Sequence, residues 1–104
     1  MSLKNAQEEV DKFTSQFKPQ YWQPHEILSR LMEETGELAR EINHLYGPKP
    51  KKPTEDTREL GEEMADIIFT LCCLANSQKI DLDKSFKRVI DKYYGRDNNR
   101  FEKK

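Results

Sequence analysis

Cysteine is nearly absent from this chain: two residues in 104, Cys72 and Cys73, adjacent in sequence. Neighbouring cysteines are poor disulfide partners, so a disulfide-stapled secreted scaffold is excluded. The pair reads as small buried hydrophobes in a reducing cytoplasm. No apolar run approaches the ~20 residues of a membrane-spanning helix, and no apolar leader heads the sequence, so a cytoplasmic protein without a membrane partner is expected. Charge of one sign is also lacking. Eighteen Lys and Arg stand against 19 Asp and Glu, a net charge of −1, which removes the bulk electrostatic case for nucleic acid. The 4 glycines form no G-x-x-x-x-G-K phosphate loop. Histidine is limited to His25 and His44. Glu41-x-x-His44 has di-iron bundle spacing, but such bundles need two of these motifs and the chain offers one. Asp81-Leu82-Asp83 opens like a calcium loop and lacks the glycine required at its sixth position.

What is present is charge (36%) and a modest apolar fraction (35%) in a length that suits one domain, residues 1–104. The apolar residues are periodic, which argues against disorder. They predict an all-α fold with a four-helix core. Leu3, Ala6, Val10, Phe13 and Phe17 form the stripe of a helix over 3–17, closed by Lys18-Pro19. A second helix runs over 24–46, with Pro24 in its first turn, Ile27, Leu31, Leu38, Ile42 and Leu45 as its stripe and Gly47-Pro48 as its stop. Residues 47–56 read as a Pro- and Lys-rich loop. A third helix is expected over 57–77, with Asp56 and Glu59 at capping-box spacing, and a fourth over 82–94, with Asp81 as N-cap. From Gly95 the tail is polar. From Met64 onward the third helix is apolar nearly all round, and such a helix must be covered on more than one side. A chain this small is therefore expected to complete its core as a homodimer or a homotetramer, a dimer of dimers.

The acidic residues are where the sequence departs from helix economy. Glu33/Glu37, Glu37/Glu41, Glu59/Glu63 and Glu62/Asp66 are all like-charge neighbours four apart, each costing its helix about 0.2–0.5 kcal/mol. Elsewhere the chain follows the favourable rule, as at Glu8/Lys12 and Asp83/Lys87. On the helical wheel Glu34 falls inside the apolar stripe of the second helix and Glu37 on its edge. Glu63 and Asp66 lie along one edge of the third. A carboxylate on a core-facing stripe is costly unless paired or metal-bound. Two pairs at i,i+3 spacing, facing each other across a helix contact, would concentrate acid with few cations to balance it. Hard divalent cations that prefer oxygen, Mg²⁺ or Mn²⁺, fit that demand.

Glu33-Glu34-Thr35-Gly36-Glu37 followed by Glu63-Met64-Ala65-Asp66 resembles the E-E-x-x-E…E-x-x-D pattern of the MazG-like nucleotide pyrophosphohydrolases, within the all-α NTP pyrophosphatase superfamily. The likeness covers most of the chain, from Tyr21-Trp22-Gln23-Pro24 to the end of the fourth helix. Ala65 stands where the family often has glycine. The resemblance implies a four-helix core working as a dimer or dimer of dimers, with Glu34, Glu37, Glu63 and Asp66 holding Mg²⁺. It implies a nucleoside triphosphate substrate, cleaved to monophosphate and pyrophosphate by a water attacking the α-phosphorus, in the service of nucleotide-pool house-cleaning. Glu33, off the wheel position of Glu34, is either a supporting group or the base that takes the water's proton, and Glu34 shares the catalytic candidacy. Four further residues are candidates for substrate contact. Trp22 stands at the entry to the second helix and Asn76 at the end of the third, and Lys92 and Arg96 lie where relatives carry phosphate-binding cations. Lys49, Lys51 and Lys52 solvate the loop or attract a polyanion. Two alternatives compete: a phosphoribosyl-ATP pyrophosphohydrolase-like enzyme using the same metal site, and a non-enzymatic helical adaptor that binds a metal or a basic partner.

Overall fold

A computed structural model of the chain describes residues 2–48 and 60–104. Among these there are four helices and no strand: α1 (Leu3–Thr14), α2 (Pro24–Tyr46), α3 (Leu60–Ser77) and α4 (Leu82–Asp97). α3 is central, packed against α2 along much of its length and against α1, while α4 leans on α1. The expected start of the third helix at Thr57, the Asp56/Glu59 capping pair and the loop lysines Lys49, Lys51 and Lys52 lie outside the described residues.

α2 has the bounds its sequence signals predict. Pro24 occupies the first turn, and the Glu26 carboxylate accepts the Gln23 backbone N–H at 3.0 Å, satisfying a donor that the helix start leaves orphaned. At the other end the Gly47 N–H donates to the Asn43 carbonyl at 2.9 Å. A Cβ on residue 47 would sit 2.6 Å from that same oxygen, so glycine is needed there for close approach, not for a left-handed backbone.

Two helix ends differ from expectation. α1 stops at Thr14, three residues before Phe17. The Thr14 hydroxyl donates to the Val10 carbonyl at 2.9 Å and the Ser15 hydroxyl to the Lys12 carbonyl at 2.7 Å. Such back-bonding competes with helix continuation, and the chain turns before Lys18-Pro19 is reached. The stripe survives the break, because the Phe17 ring still packs on Phe13 with centroids 5.4 Å apart. α4 runs three residues past Tyr94, through Gly95. A mid-helix glycine costs about 1 kcal/mol. Arg96 and Arg100 pair with Asp97 at 3.0 and 3.4 Å in the last turn. Asp81 caps α4 as expected, accepting the Lys84 N–H. Asp83 accepts the Lys4 N–H at 3.2 Å and so joins α4 to α1.

The core is thin. Its buried apolar residues among those described are Val10, Ile27, Cys72 and Ala75, with Cys72 fully enclosed. Glu34 and Glu63 are more deeply buried than Val10. Met64, Ile68 and Leu71 on α3 and Phe86, Val89 and Ile90 on α4 remain exposed, and α4 buries no residue at all. The radius of gyration is 17.1 Å, against about 13 Å for a compact chain of this length.

α3 ends without glycine. Ile80 N–H donates to the Ala75 carbonyl at 2.8 Å and Lys79 N–H to the Asn76 carbonyl at 3.2 Å, the two bonds of a Schellman closure. Lys79 supplies the left-handed residue, at φ 56°. An L side chain in that region costs about 1–2 kcal/mol. Replacing Lys79 by Gly relieves this strain, and we expect stabilisation by about 0.5–1 kcal/mol once glycine's own entropy cost is deducted. Urea unfolding should show a higher midpoint at unchanged slope; an unchanged or lower midpoint would refute the assignment.

Candidate metal centre and its cavity

α2 and α3 carry one acidic pair each, one helical turn apart along each axis. Their packing brings the pairs together. Glu34, Glu37, Glu63 and Asp66 each present an oxygen, and the four oxygens all lie within 4.8 Å of one another. Glu34 and Glu63 form the floor, each 2% exposed; Asp66 is half-buried and Glu37 faces solvent. Two like charges at this separation repel by about 3–4 kcal/mol at the effective dielectric near a protein surface. At Glu34 the Arg30 guanidinium, one turn earlier on α2, contacts the carboxylate at 2.6 Å. That does not neutralise the group. Burial pushes the Glu34 carboxyl above its ordinary value, Arg30 opposes the rise, and Glu37, Asp66 and Glu63 reinforce it. The second oxygen of Glu34, Oε2, is buried without a hydrogen-bond partner. An orphaned buried carboxylate oxygen is costly. One that faces three other carboxylates fits a hard divalent cation with oxygen ligands.

Beside the cluster is a cavity of about 570 Å³, bounded by α1, the 15–23 connection, α2 and α3. Its lining includes Phe13, Phe17, Tyr21, Trp22 and Phe69, with Glu34 and Asp66 on one wall. Phe13 and Phe69 meet edge to face at 6.2 Å. Tyr21 closes one side: its hydroxyl donates to the Asp11 carboxylate at 2.6 Å and accepts from the Asn76 amide at 3.0 Å. Cys73 is on the wall too. Burial, and then its neighbour Cys72, pushes its thiol up to about 11, so it presents an inert apolar surface.

The structure separates the candidates read from sequence. The four carboxylates meet, and Trp22 joins them through the cavity. Glu33 stands outside the cluster, 65% exposed, held to Arg30 at 3.3 Å. Asn76 is spent on structure: its amide donates to the Gln7 carbonyl and Tyr21, and its oxygen accepts from Gln7. Lys92 and Arg96 are on α4, which contributes nothing to the cavity lining, and Arg96 is engaged by Asp97. Phe13 and Phe17, read as core stripe, are instead half exposed and line the cavity. Arg30 is the residue that sequence reading leaves out. Its signal is the opposite-charge i,i+4 spacing to Glu34.

The family model of the MazG nucleotide pyrophosphohydrolase domain matches residues 22–101. The chain belongs to that family. It is 48% identical over 103 residues to the YpjD protein of Bacillus subtilis (strain 168), covering 99% of this chain and 93% of that one. The crystal structure of YPJD from Bacillus subtilis is similar at a TM-score of 0.80 and 49% identity, over 89% of this chain and 95% of the other. The crystal structure of the Bacillus-conserved MazG protein, a nucleotide pyrophosphohydrolase, is similar at 0.79 and 41% identity, over 93% and 94%. This MazG domain is therefore a metal-dependent hydrolase, and the adaptor reading falls away. No helix among the described residues is long and apolar enough to cross a membrane.

The raised Glu34 carboxyl has a testable consequence for the metal-free protein. Its folded-state value lies above the unfolded one, so the stability it contributes is full below the unfolded value. That contribution is lost as pH rises through the folded value. In EDTA, E34Q should melt higher than wild type at neutral pH, and the gap should close in acid. Added Mg²⁺ should reverse the order, since a ligand at a hundred times its dissociation constant stabilises by about 2.7 kcal/mol. Equal Mg²⁺-induced shifts in wild type and E34Q would show that Glu34 is no ligand.

Proposed function

We propose that this MazG domain is a Mg²⁺-dependent nucleoside triphosphate pyrophosphohydrolase that converts (d)NTPs to monophosphate and pyrophosphate in the upkeep of the nucleotide pool. The observation that carries the reading is the four-carboxylate cluster, two of whose members, Glu34 and Asp66, lie on one wall of an aromatic-lined cavity. Glu34, Glu37, Glu63 and Asp66 would hold the cation, with Mn²⁺ as a substitute. When bound, it neutralises phosphate charge and lowers the pKa of coordinated water. The cavity takes the nucleoside: Trp22, Phe13 and Phe69 offer flat apolar faces to a base, and about 570 Å³ is within the range of small-molecule sites. The triphosphate then lies toward Glu34 and Asp66.

The attacking water bonds to the α-phosphorus, the bond from that phosphorus to the bridging oxygen breaks, and pyrophosphate departs with the electron pair. A base must take the water's proton. Glu34 is buried and given over to the cation. Glu33, at the solvent edge beside the same cluster, is free of that duty, and we assign it the proton.

The same reading includes a dimer or dimer of dimers. Its support is the exposed apolar surface of α3 and α4 and the extended radius of gyration. Lys92 and Arg96 meet a nucleotide only where a second chain brings its α4 to this cavity.

Three outcomes follow from this assignment. Hydrolysis in ¹⁸O-water should place the label in the monophosphate and none in pyrophosphate; label in released phosphate or pyrophosphate would refute attack at the α-phosphorus. E33Q should lower kcat by about 10²- to 10⁴-fold at unchanged Mg²⁺ affinity, whereas D66N should lose Mg²⁺ binding and turnover together; helicity should persist in both. Light scattering should report a dimer or tetramer at micromolar concentration, and a monomer would remove the assembly.

A further inference from the structure

Among the described residues lining the cavity, Arg30 is the one cationic side chain. It is half exposed, so its guanidinium is not locked in the core. Its position is set by two carboxylates: Nη2 lies 2.6 Å from Glu34 Oε1 and Nη1 lies 3.3 Å from Glu33 Oε2. Both partners have other duties in the reading above. A cation on the cluster takes oxygens of Glu34, and Glu33 is assigned a proton. The substrate is a polyanion brought against an acidic wall, where its phosphates meet carboxylates at short range. That arrangement needs positive charge beyond the cluster's own cation, and on this wall Arg30 supplies it. Its chemistry suits the task. A guanidinium is planar, always charged, and offers parallel N–H donors that match two oxygens of one phosphate, whereas an ammonium offers a point charge.

We propose that Arg30 is a substrate-binding residue: it holds Glu34 and Glu33 while the site is empty and transfers its hydrogen bonds to the triphosphate when a nucleotide enters. The proposal rests on the nucleotide hydrolase reading for the identity of the anion. It implies that the Arg30–Glu34 pair is an exchange partner for substrate and not a structural tie. Arg30 is half exposed but Glu34 is buried, so removing the guanidinium leaves a buried carboxylate without this partner and should lower the melting temperature of the metal-free protein; the titration is therefore made in Mg²⁺, with R30K keeping the charge.

The chain has a single tryptophan, and Trp22 lines this cavity, so its fluorescence reports occupancy without turnover. The test titrates wild type, R30Q and R30K with an α,β-imido nucleoside triphosphate in Mg²⁺, and with the matching nucleoside. We expect R30Q to weaken the triphosphate by about 10- to 100-fold, the value of losing one or two charge-assisted hydrogen bonds. R30K should recover part of the loss, nucleoside affinity should stay unchanged, and Mg²⁺ affinity measured by thermal shift should be equal or tighter. Equal triphosphate affinity in wild type and R30Q would overturn the proposal. So would an equal loss for nucleoside and triphosphate, which would make Arg30 part of the cavity wall only. Pyrophosphate release by wild type, measured alongside, reports on the hydrolase reading separately. No release, together with an Arg30-dependent titration, would retain the anion contact and remove the chemistry.

Discussion

The repulsion among four carboxylates gathered between α2 and α3 is the constraint around which this small fold is arranged. Each helix bears one pair at i,i+3 spacing, and only the α2–α3 contact makes the pairs face each other within 4.8 Å. The consequence is a chain whose deepest residues include Glu34 and Glu63 while Ile68 and Leu71 stay in water. A monomer seeking stability alone would do the reverse, since burying a charge costs far more than exposing a leucine. Arg30 offsets part of the cost. The raised Glu34 carboxyl and its orphaned oxygen measure the part that remains.

The cavity takes its shape from the same arrangement. Glu34 and Asp66 can form a wall because the chain between α1 and α2 leaves the bundle at Thr14, carries Phe17 and Tyr21 around the site, and returns at Pro24. Hydrogen bonds hold this detour. Asp11 gathers the Tyr21 hydroxyl and the Gln20 amide, and Asn76 reaches from α3 to Tyr21 and Gln7. Asp11, Asn76 and Gln7 thus stand behind the wall and hold the Tyr21 and Gln20 side chains that help to line it. Sites built on such braced elements hold geometry better than sites on unsupported loops.

Much of this was legible in sequence, and the reason is the strength of periodic signals. The bounds of α2 follow from Pro24 and Gly47-Pro48, each a covalent restriction on the backbone. The convergence of the acids follows from their wheel positions: Glu34 inside the apolar stripe and Glu63 nearer to its stripe than Asp66 correspond to the observed order of burial. What was not legible depends on local competition or on tertiary space. The stop at Thr14 depends on hydroxyl back-bonding, which serine and threonine use in some helices and not in others. The fourth helix is expected to end at Tyr94, yet α4 runs on through Gly95 to Asp97, which Arg96 and Arg100 pair with. Asn76 looks like a reaching side chain at a helix end until Gln7 and Tyr21 are seen to absorb its donors and its acceptor. Phe13 and Phe17 fit a core stripe equally well whether the space they face is filled or open, and no one-dimensional pattern distinguishes a core from a cavity.

The thin core and the acidic centre are two sides of one balance. Domains of this size bury a small share of their surface, so a few kcal/mol decide whether they stay folded. This chain places much of its apolar surface on the outside of α3 and α4 and its electrostatic cost inside α2–α3. Such a fold gains stability from whatever relieves either side: a cation on Glu34 and its neighbours, or a second chain on α3 and α4. In the proposed assembly the two are coupled through α3, since one face of that helix holds Glu63 and Asp66 while Ile68 and Leu71 on its exposed surface meet the neighbour. A subunit contact that fixes α3 then fixes half of the metal ligands. In that proposed assembly a helix that is apolar nearly all round would serve the site as well as the interface.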